Sequence, residues 1–505
     1  MTERHLARLA AAAIDRLGDY PSVCFEGTWH TSGELRARAL RLSAGLRGIG
    51  VAPGSRVVVI MANCPEVTVT YTALWHAGAV VTPVIFLVTA PELRHVVVDS
   101  GAVAVVTTAE LVAKVQPAVA GLDVPVVAVG AAGDGVLDFA ELESADPGEL
   151  VDRRDDDLAV LLYTGGTTGR SKGVPLTHRN LIDGAVAARS IRFVDGINRG
   201  ILALPLAHSF GILVTVDGLH ATEPPITVLQ RWFDPAGWVT LAHEHRVQAA
   251  AVVPSMLAML LAQPLEEYDL SALRFVYCGA APLSGALVAE FERRVPSATV
   301  MEGYGCTETA GVISATPSGQ RRLGTVGKPV PGVSVRIVSP DGADLPPGAD
   351  GEIVVRGPNV MAGYWHASPA DRSVTDGWFA TGDIGRFDED GYLSIVDRKK
   401  DLIIRGGHNV YPRDVEDVLL AHPAVAGAAV VGRPDERLGE EVVAFVALRP
   451  GQSATVDELA AHARANLSAM KYPREIQVVD AIPLTSVGKV DRKRLRAQVT
   501  ALPIG

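Results

Sequence analysis

Short runs of valine and isoleucine recur along the N-terminal part of the chain, each followed by a stretch of helical length. RVVVIMAN, spanning Val57–Ile60, precedes VTVTYTALWHAGA; GAVVTPV, VAVVTT, DVPVVAV and LAVLLYT continue the series. GILALPLAHS, the Ala/Leu-rich segment after Val247 and LRFVYCGAAP add further cycles. Strands covered on both faces carry continuous apolar runs, and parallel neighbours need helical crossovers. The pattern predicts parallel or mixed sheets covered by helices. With 505 residues and roughly 100–200 residues per domain, the chain has room for more than one core. No fixed-period repeat is visible.

The texture changes after about Pro329. SVRIVSPDGADLPPGADGEIVVRGPNV and GYLSIVDRKKDLIIRG carry strand-like runs broken by turn residues, which predicts a β-rich subdomain. From Arg398 onward there are 16 basic and 13 acidic residues, a net +3, against −14 in the preceding part. The C-terminal part reads as β, a helix from Pro412, strands at AAVVG and VVAFVAL, a helix at VDELAAHARANL and a strand at IQVVD. The expected fold is thus multidomain α/β. A large N-terminal α/β region with a β-rich subdomain (1–397) is followed by a small α+β domain (398–505), with a charged boundary around Asp397–Asp401.

The net charge of −11 and the 48% hydrophobic content exclude a disordered chain and give no general reason to bind nucleic acid. Cys24, Cys64, Cys278 and Cys306 have no metal-ligand spacing and fit a reducing, cytoplasmic setting. MTERHLARLAAAAIDRLGDY, with Arg8 and Asp15 around its alanines, reads as an amphipathic helix and not as a signal peptide. Val67–Pro91 and Val247–Leu265 lack Asp, Glu, Lys and Arg. Their internal Thr68, Tyr71, His76, Pro83, Gln248, Pro254 and Gln263 suit buried helix and strand segments better than membrane spans.

Chemistry is concentrated in YTGGTTGRSKG, residues 163–173. Gly165, Gly166, Gly169 and Gly173 permit tight turns with exposed backbone N–H groups. Thr164, Thr167 and Thr168 add hydroxyls, and Lys172 adds a charge suited to phosphate. The GxxxxGK[ST] spacing of a P-loop is absent. The segment resembles the YTSGTTGxPKG phosphate loop of the AMP-forming adenylate superfamily, particularly its acyl-CoA synthetases. Gly165 stands where serine is common and Ser171 where proline is, which affects loop geometry more than chemistry. The resemblance continues in order through LPLAHSFG (204–211), YCGAAPL (277–283), GYGCTE (303–308), GWFATGD (377–383), DRKKDLIIRGG (397–407) and PLTSVGKVDRKRL (483–495).

The resemblance implies roles that the residue types can support. Glu308 would coordinate Mg²⁺ on ATP, carboxylate being a hard ligand; Thr307 would meet the phosphates. Gly303, Tyr304 and Gly305, together with Gly279, Ala280 and Ala281, would pass close to adenine, with Ile395 as an apolar wall. Asp383 would bind the ribose hydroxyls and Arg398 ribose or phosphate. Lys489 would bridge the substrate carboxylate and the α-phosphate as charge develops. His208 would position substrate. Lys400 would be the hinge residue, in a hinge near 398–401 that makes the C-terminal domain mobile, and Gly406 and Gly407 would be the lining of a pantetheine passage. No GxSxG element or Cys/His pair calls for a covalent nucleophile, and Cys306 is rejected as one.

The implied reaction is carboxylate plus ATP to acyl-AMP and pyrophosphate, then transfer to CoA, with ATP, Mg²⁺ and CoA as cofactors. His208, Ser209, Phe210, Ile212, Val253, Met256 and Ala280 are acyl-pocket candidates. No charge for a second carboxylate follows His208, so a monocarboxylic acid is expected, with a medium- or long-chain fatty acid preferred. An acyl-carrier-protein ligase, a stand-alone peptide-synthetase-like adenylation enzyme and a noncatalytic carrier-binding scaffold are the alternatives.

Overall fold

The computed structural model describes residues 4–164, 171–192, 194–368, 373–484 and 490–500. The chain divides into two compact units: Met1–Val335 with Val355–Phe379, and Arg336–Val354 with Ala380–Gly505. The second unit thus gathers residues on the N-terminal side of the 398–401 segment, and the boundary passes through the strands Gly351–Arg356 and Trp378–Phe387.

The first unit contains two large sheets. One has seven strands in the order Val136–Asp138, Val126–Val129, Ala104–Thr108, Arg56–Ile60, Val80–Pro83, Leu158–Thr164 and Lys172–Thr177. All neighbours are parallel except the last pair. The expected reason holds: Val57, Val58 and Ile60 are fully buried, as are Val105 and Val106 beside them. Apolar side chains on both faces of a strand require cover on both sides.

The other sheet has nine strands. Six run parallel in the order Thr299–Tyr304, Phe275–Cys278, Ala249–Val252, Arg199–Leu202, Ile226–Leu229 and Pro21–Phe25. Antiparallel strands close each end. The two uncharged stretches are interior elements, folding into the helix Pro65–His76 with the strand Val80–Pro83, and into the strand Ala249–Val252 with the helix Pro254–Leu261. Among the described residues, no helix is long and apolar enough to cross a membrane.

The first helix, Leu6–Leu17, is docked by a histidine pair. His5 and His178 are 2% and 1% exposed, their rings lie 4.5 Å apart, and the His178 Nδ1 accepts the Leu6 N–H at 3.3 Å. Burial pushes His5 down to about 4, with the Arg8 charge adding to it. Burial and the neighbouring His5 push His178 down to about 3. Both rings are therefore held neutral in the folded chain, whereas the unfolded chain takes up protons below about pH 6.5. Stability is fully present above that value and falls as the pH drops toward 4, by about 1.4 kcal/mol per pH unit for each ring. Urea unfolding at pH 7 and pH 5 checks this, with His5→Phe expected to remove about half of the histidine contribution. An equal pH response in wild type and variant would refute it.

In the second unit the strands Gly439–Leu448 and Val425–Asp435 form a long antiparallel pair, extended by Glu475–Val479, Ile403–Arg405 and His408–Val410. Alternate residues face opposite ways. Val430, Val442, Ala444 and Val446 pack with the helices Pro412–Leu420 and Val456–Asn466 through Val415, Leu419, Leu459 and Ala463. Val431, Val443 and Phe445 pack with Leu495 and Val499 of a terminal helix, Arg492–Thr500. That helix is an addition to the sequence reading, which ends its elements at IQVVD. The strands Ser334–Val338, Gly351–Arg356, Trp378–Phe387 and Leu393–Arg398 supply the expected β-rich part.

Candidate active site

In open α/β sheets, ligands bind beyond the carboxyl ends of the parallel strands, where strand order reverses. The Arg199–Leu202 strand is such a point: the chain moves from it to Ile226–Leu229 on one side, then to Ala249–Val252 on the other. Beyond the carboxyl ends of four adjacent parallel strands lie His208, Val253, Gly279 and the turn after Tyr304. The topology therefore brings three separately read motifs and the pocket candidate Val253 to one edge.

His208 caps the helix Ser209–Leu219, its Nδ1 accepting the Phe210 N–H at 3.3 Å. The accepting nitrogen carries no proton, which places the ring proton on Nε2. Ile212 and Met256 are buried at 1% and 6% exposure, whereas Phe210, Val253 and Ala280 are partly exposed. Ala280 has a φ of 68°, an uncommon conformation for a side-chain-bearing residue. A Cβ on Gly279 would come within 3.0 Å of the Gly303 carbonyl, so the loops at Gly279 and Gly303 touch through backbone. Cys278 lies just before them, buried, and burial pushes its thiol up to about 12.

The strands flanking the phosphate segment, Leu158–Thr164 and Lys172–Thr177, pair as an antiparallel hairpin. Thr164 and Lys172 face each other across the antiparallel pair, as do Tyr163 and Gly173, and Thr164 Oγ1 donates to the Lys172 carbonyl at 3.5 Å. Gly165, Gly166, Thr167, Thr168 and Gly169 lie outside the described residues. The hairpin base is anchored by the helix Ala90–Ser100. Tyr163 donates to Asp99 at 2.6 Å, and His95 Nε2 lies 3.0 Å from the Ser171 carbonyl. Gly173 is required by packing: an added Cβ would fall 2.8 Å from that of Trp365.

Glu308 sits on the 3-10 turn Thr307–Thr309. Thr309 is fully buried and knots the turn, its hydroxyl donating to the Cys306 carbonyl at 3.1 Å and accepting the Cys306 N–H at 3.2 Å. Cys306 thereby has a place in turn geometry. Buried Asn359 donates to the Thr309 and Val312 carbonyls at 2.9 and 2.7 Å.

One residue of this site escaped the sequence reading. Tyr364 donates its phenol hydrogen to Glu308 Oε1 at 2.7 Å, and the Lys172 ammonium lies 4.6 Å from the centre of its ring. The aromatic GYWH run after the β-rich segment was the available signal; nothing local ties it to residues so far upstream.

In the second unit, Asp383 and Arg398 are direct cross-strand partners, with Arg398 Nε 3.5 Å from Asp383 Oδ1. The pair joins two motifs read separately. Ile395, on the same strand as Arg398, is partly exposed, and its carbonyl accepts from Arg413 at 2.9 Å. Burial and the Arg398 charge pull the Lys400 ammonium down to about 8. Gly406 and Gly407, with φ of 57° and 80°, form the two-residue turn between Ile403–Arg405 and His408–Val410. Such hairpin turns require positive φ at both positions, which glycine supplies at no steric cost. Lys489 lies outside the described residues.

The pattern of the AMP-binding enzyme family matches residues 10–365, and that of the AMP-binding enzyme C-terminal domain matches residues 414–489. The chain belongs to the AMP-binding enzyme family. A feruloyl-CoA synthase from Amycolatopsis sp is 38% identical over 476 residues, covering 93% of this chain and 94% of that protein. A long-chain-fatty-acid–CoA ligase from Bacillus subtilis is 32% identical, covering 99% of this chain and 95% of the relative. Among solved structures, ATP-bound MatB from Rhodopseudomonas palustris aligns with a TM-score of 0.89 at 32% identity, covering 98% of this chain and 99% of that one. The amide bond synthetase McbA from Marinactinospora thermotolerans aligns at 0.88 and 30% identity, covering 98% and 100%. This family member is an AMP-forming ligase: it activates a carboxylic acid with ATP to an acyl-AMP, which is converted to a thioester.

Proposed function

We propose that the chain is a CoA ligase for an apolar aromatic monocarboxylic acid of the arylpropenoic type. The observation that carries the substrate class is the 38% identity, over nearly full length, to a protein named for feruloyl-CoA synthesis. A 37% relative from rice named 4-coumarate–CoA ligase adds to it. The apolar Phe210, Ile212, Val253 and Met256 suit a ring, and LPLAHSFGIL offers no charge to a second carboxylate. The fatty-acid preference of the sequence reading becomes the second reading, supported by the 32% relative named for long-chain fatty acids.

In the first step a carboxylate oxygen attacks the α-phosphorus of ATP, an acyl–O–P bond forms, and pyrophosphate leaves with the electron pair of the broken P–O bond. A carboxylic acid is ionised near neutral pH and needs no base. Lys172 and the backbone amides of 165–169 are assigned to the phosphates, Asp383 and Arg398 to the ribose, and Lys489 to the reacting oxygens. Glu308 is the residue to hold Mg²⁺, which when bound offsets charge on the phosphates. It fits: Oε1 is fixed by Tyr364, and among the described residues Oε2 takes no hydrogen bond. Mg²⁺ commonly uses one or two carboxylates plus substrate phosphates, and no cluster of three or more His, Cys, Asp or Glu side chains exists among the described residues. In the second step the CoA sulfur attacks the acyl carbon, AMP leaves, and the thiol proton passes to solvent. Rotation about 398–401 separates the steps.

Purified protein with a panel of arylpropenoic, benzoic and saturated fatty acids tests this, scoring acid-dependent pyrophosphate release and then acyl-CoA. The best aryl acid is expected to exceed the best aliphatic acid in kcat/KM by about tenfold or more, the scale of apolar-pocket discrimination. A fatty acid at the top would restore the aliphatic reading. Transfer only to a phosphopantetheinylated carrier, or only to an amine, would replace CoA as acceptor. Absence of acyl-AMP across the whole panel would leave the carrier-binding scaffold.

A further inference from the structure

We propose that Tyr364 is a positioning residue that sets the metal affinity of Glu308 and ties it to the phosphate hairpin; this rests on the reading of Glu308 as the Mg²⁺ ligand. The segment from Asn359 to Trp365 reaches both halves of the phosphate site within the first unit. At the Glu308 turn, Asn359 binds the Thr309 carbonyl, the Met361 N–H donates to the Glu308 carbonyl at 2.9 Å, and the Tyr364 hydroxyl donates to the carboxylate itself. At the hairpin, the Trp365 N–H donates to the Gly173 carbonyl at 2.8 Å, while the Trp365 indole N–H donates to the Asp99 carbonyl at 3.2 Å. Tyr364 thus stands between two fixed points, with its hydroxyl on the carboxylate and its ring face toward Lys172.

The two ends of this side chain do different work. A glutamate on a short turn has three side-chain torsions to order when it takes up a cation. A phenol hydrogen bond to one oxygen orders them beforehand and presents the other oxygen in one direction. Partners of this kind around metal ligands are worth about 10–100-fold in metal affinity. The ring attracts the Lys172 ammonium through its quadrupole, holding a phosphate-directed charge near the carboxylate that carries the metal. A single residue thereby fixes the spacing between the cation that meets phosphate directly and the carboxylate that meets it through Mg²⁺.

Removing the ends separately tests the assignment. Tyr364→Phe deletes the hydroxyl and keeps the ring; Tyr364→Leu deletes both. Mn²⁺ is titrated into the full-length protein with α,β-methylene-ATP and followed by electron paramagnetic resonance, with no acid present, and nucleotide affinity is measured separately without metal. Tyr364→Phe is expected to raise the half-saturating Mn²⁺ concentration by about tenfold or more while leaving metal-free nucleotide affinity unchanged. Tyr364→Leu is expected to weaken both, with an unaltered circular dichroism spectrum. A wild-type Mn²⁺ dependence in Tyr364→Phe overturns the proposal, as does equal weakening with and without metal. A wild type that binds nucleotide but takes up no Mn²⁺ overturns the Glu308 reading itself.

Discussion

Lys489→Ala is expected to slow acyl-AMP formation by roughly 10²–10³, the scale set by removing one preorganised electrostatic donor. Thioester formation from supplied acyl-AMP should stay close to wild type. In the proposed mechanism the lysine serves the first step by meeting charge that develops between carboxylate and α-phosphate, and rotation about 398–401 removes it before the second. The residues flanking its segment are held at their base: Leu484 bridges Val490, and the Asp491 N–H donates to the Pro483 carbonyl at 2.8 Å. Neither contact uses the Lys489 side chain, so the expected effect belongs to its charge. The measurement is two rates, one from acid plus ATP and one from acyl-AMP plus CoA. Equal loss in both would defeat the division of labour between the two orientations.

Arg492→Ala is expected to destabilise the second unit by about 3–5 kcal/mol, the cost of leaving a buried charge unpaired. Arg492 binds both oxygens of Glu416, at 2.6 and 2.8 Å, and lies 3.9 Å from buried Asp401. Glu416 also accepts the Val430 N–H at 2.8 Å, and burial pushes its carboxyl up, opposed first by Arg492. Arg496 completes the cluster, reaching Asp401 at 2.7 Å and the Lys400 carbonyl at 3.4 Å. The terminal helix is thus fastened to the segment assigned as hinge. Replacing both partners, as in Glu416→Leu with Arg492→Leu, should recover most of the loss, because an apolar pair carries no desolvation cost. Urea unfolding of the full chain followed by hydrogen exchange in the second unit measures both. A loss under about 1 kcal/mol for Arg492→Ala would show that Glu416 is neutralised or hydrated without its partner.

The strand runs, the interior placement of both uncharged stretches and the ordered motifs were legible in the chain because each depends on neighbours a few residues apart. Val57–Ile60 is apolar on consecutive residues, and that alone demands cover on both faces. The glycine and threonine content of residues 163–173 likewise states its chemistry locally. Four other features depended on distance. Arg492–Thr500 opens strongly basic, with four Lys and Arg residues in its first five positions; only the sheet beneath it shows that Leu495 and Val499 form its buried stripe. The boundary of the compact units follows strand pairing that gathers 336–354 and 380–397 with the C-terminal residues, and the charge step at Arg398 is blind to pairing. Gly406 and Gly407 were assigned to a passage through the resemblance, and only the pairing of the strands on either side shows that they form a turn. Tyr364 reaches Glu308 only because Asn359 and Trp365 are fixed at buried backbone carbonyls. Composition and spacing determined which chemistries this chain carries; long-range hydrogen bonding and packing decided which side chains share a site.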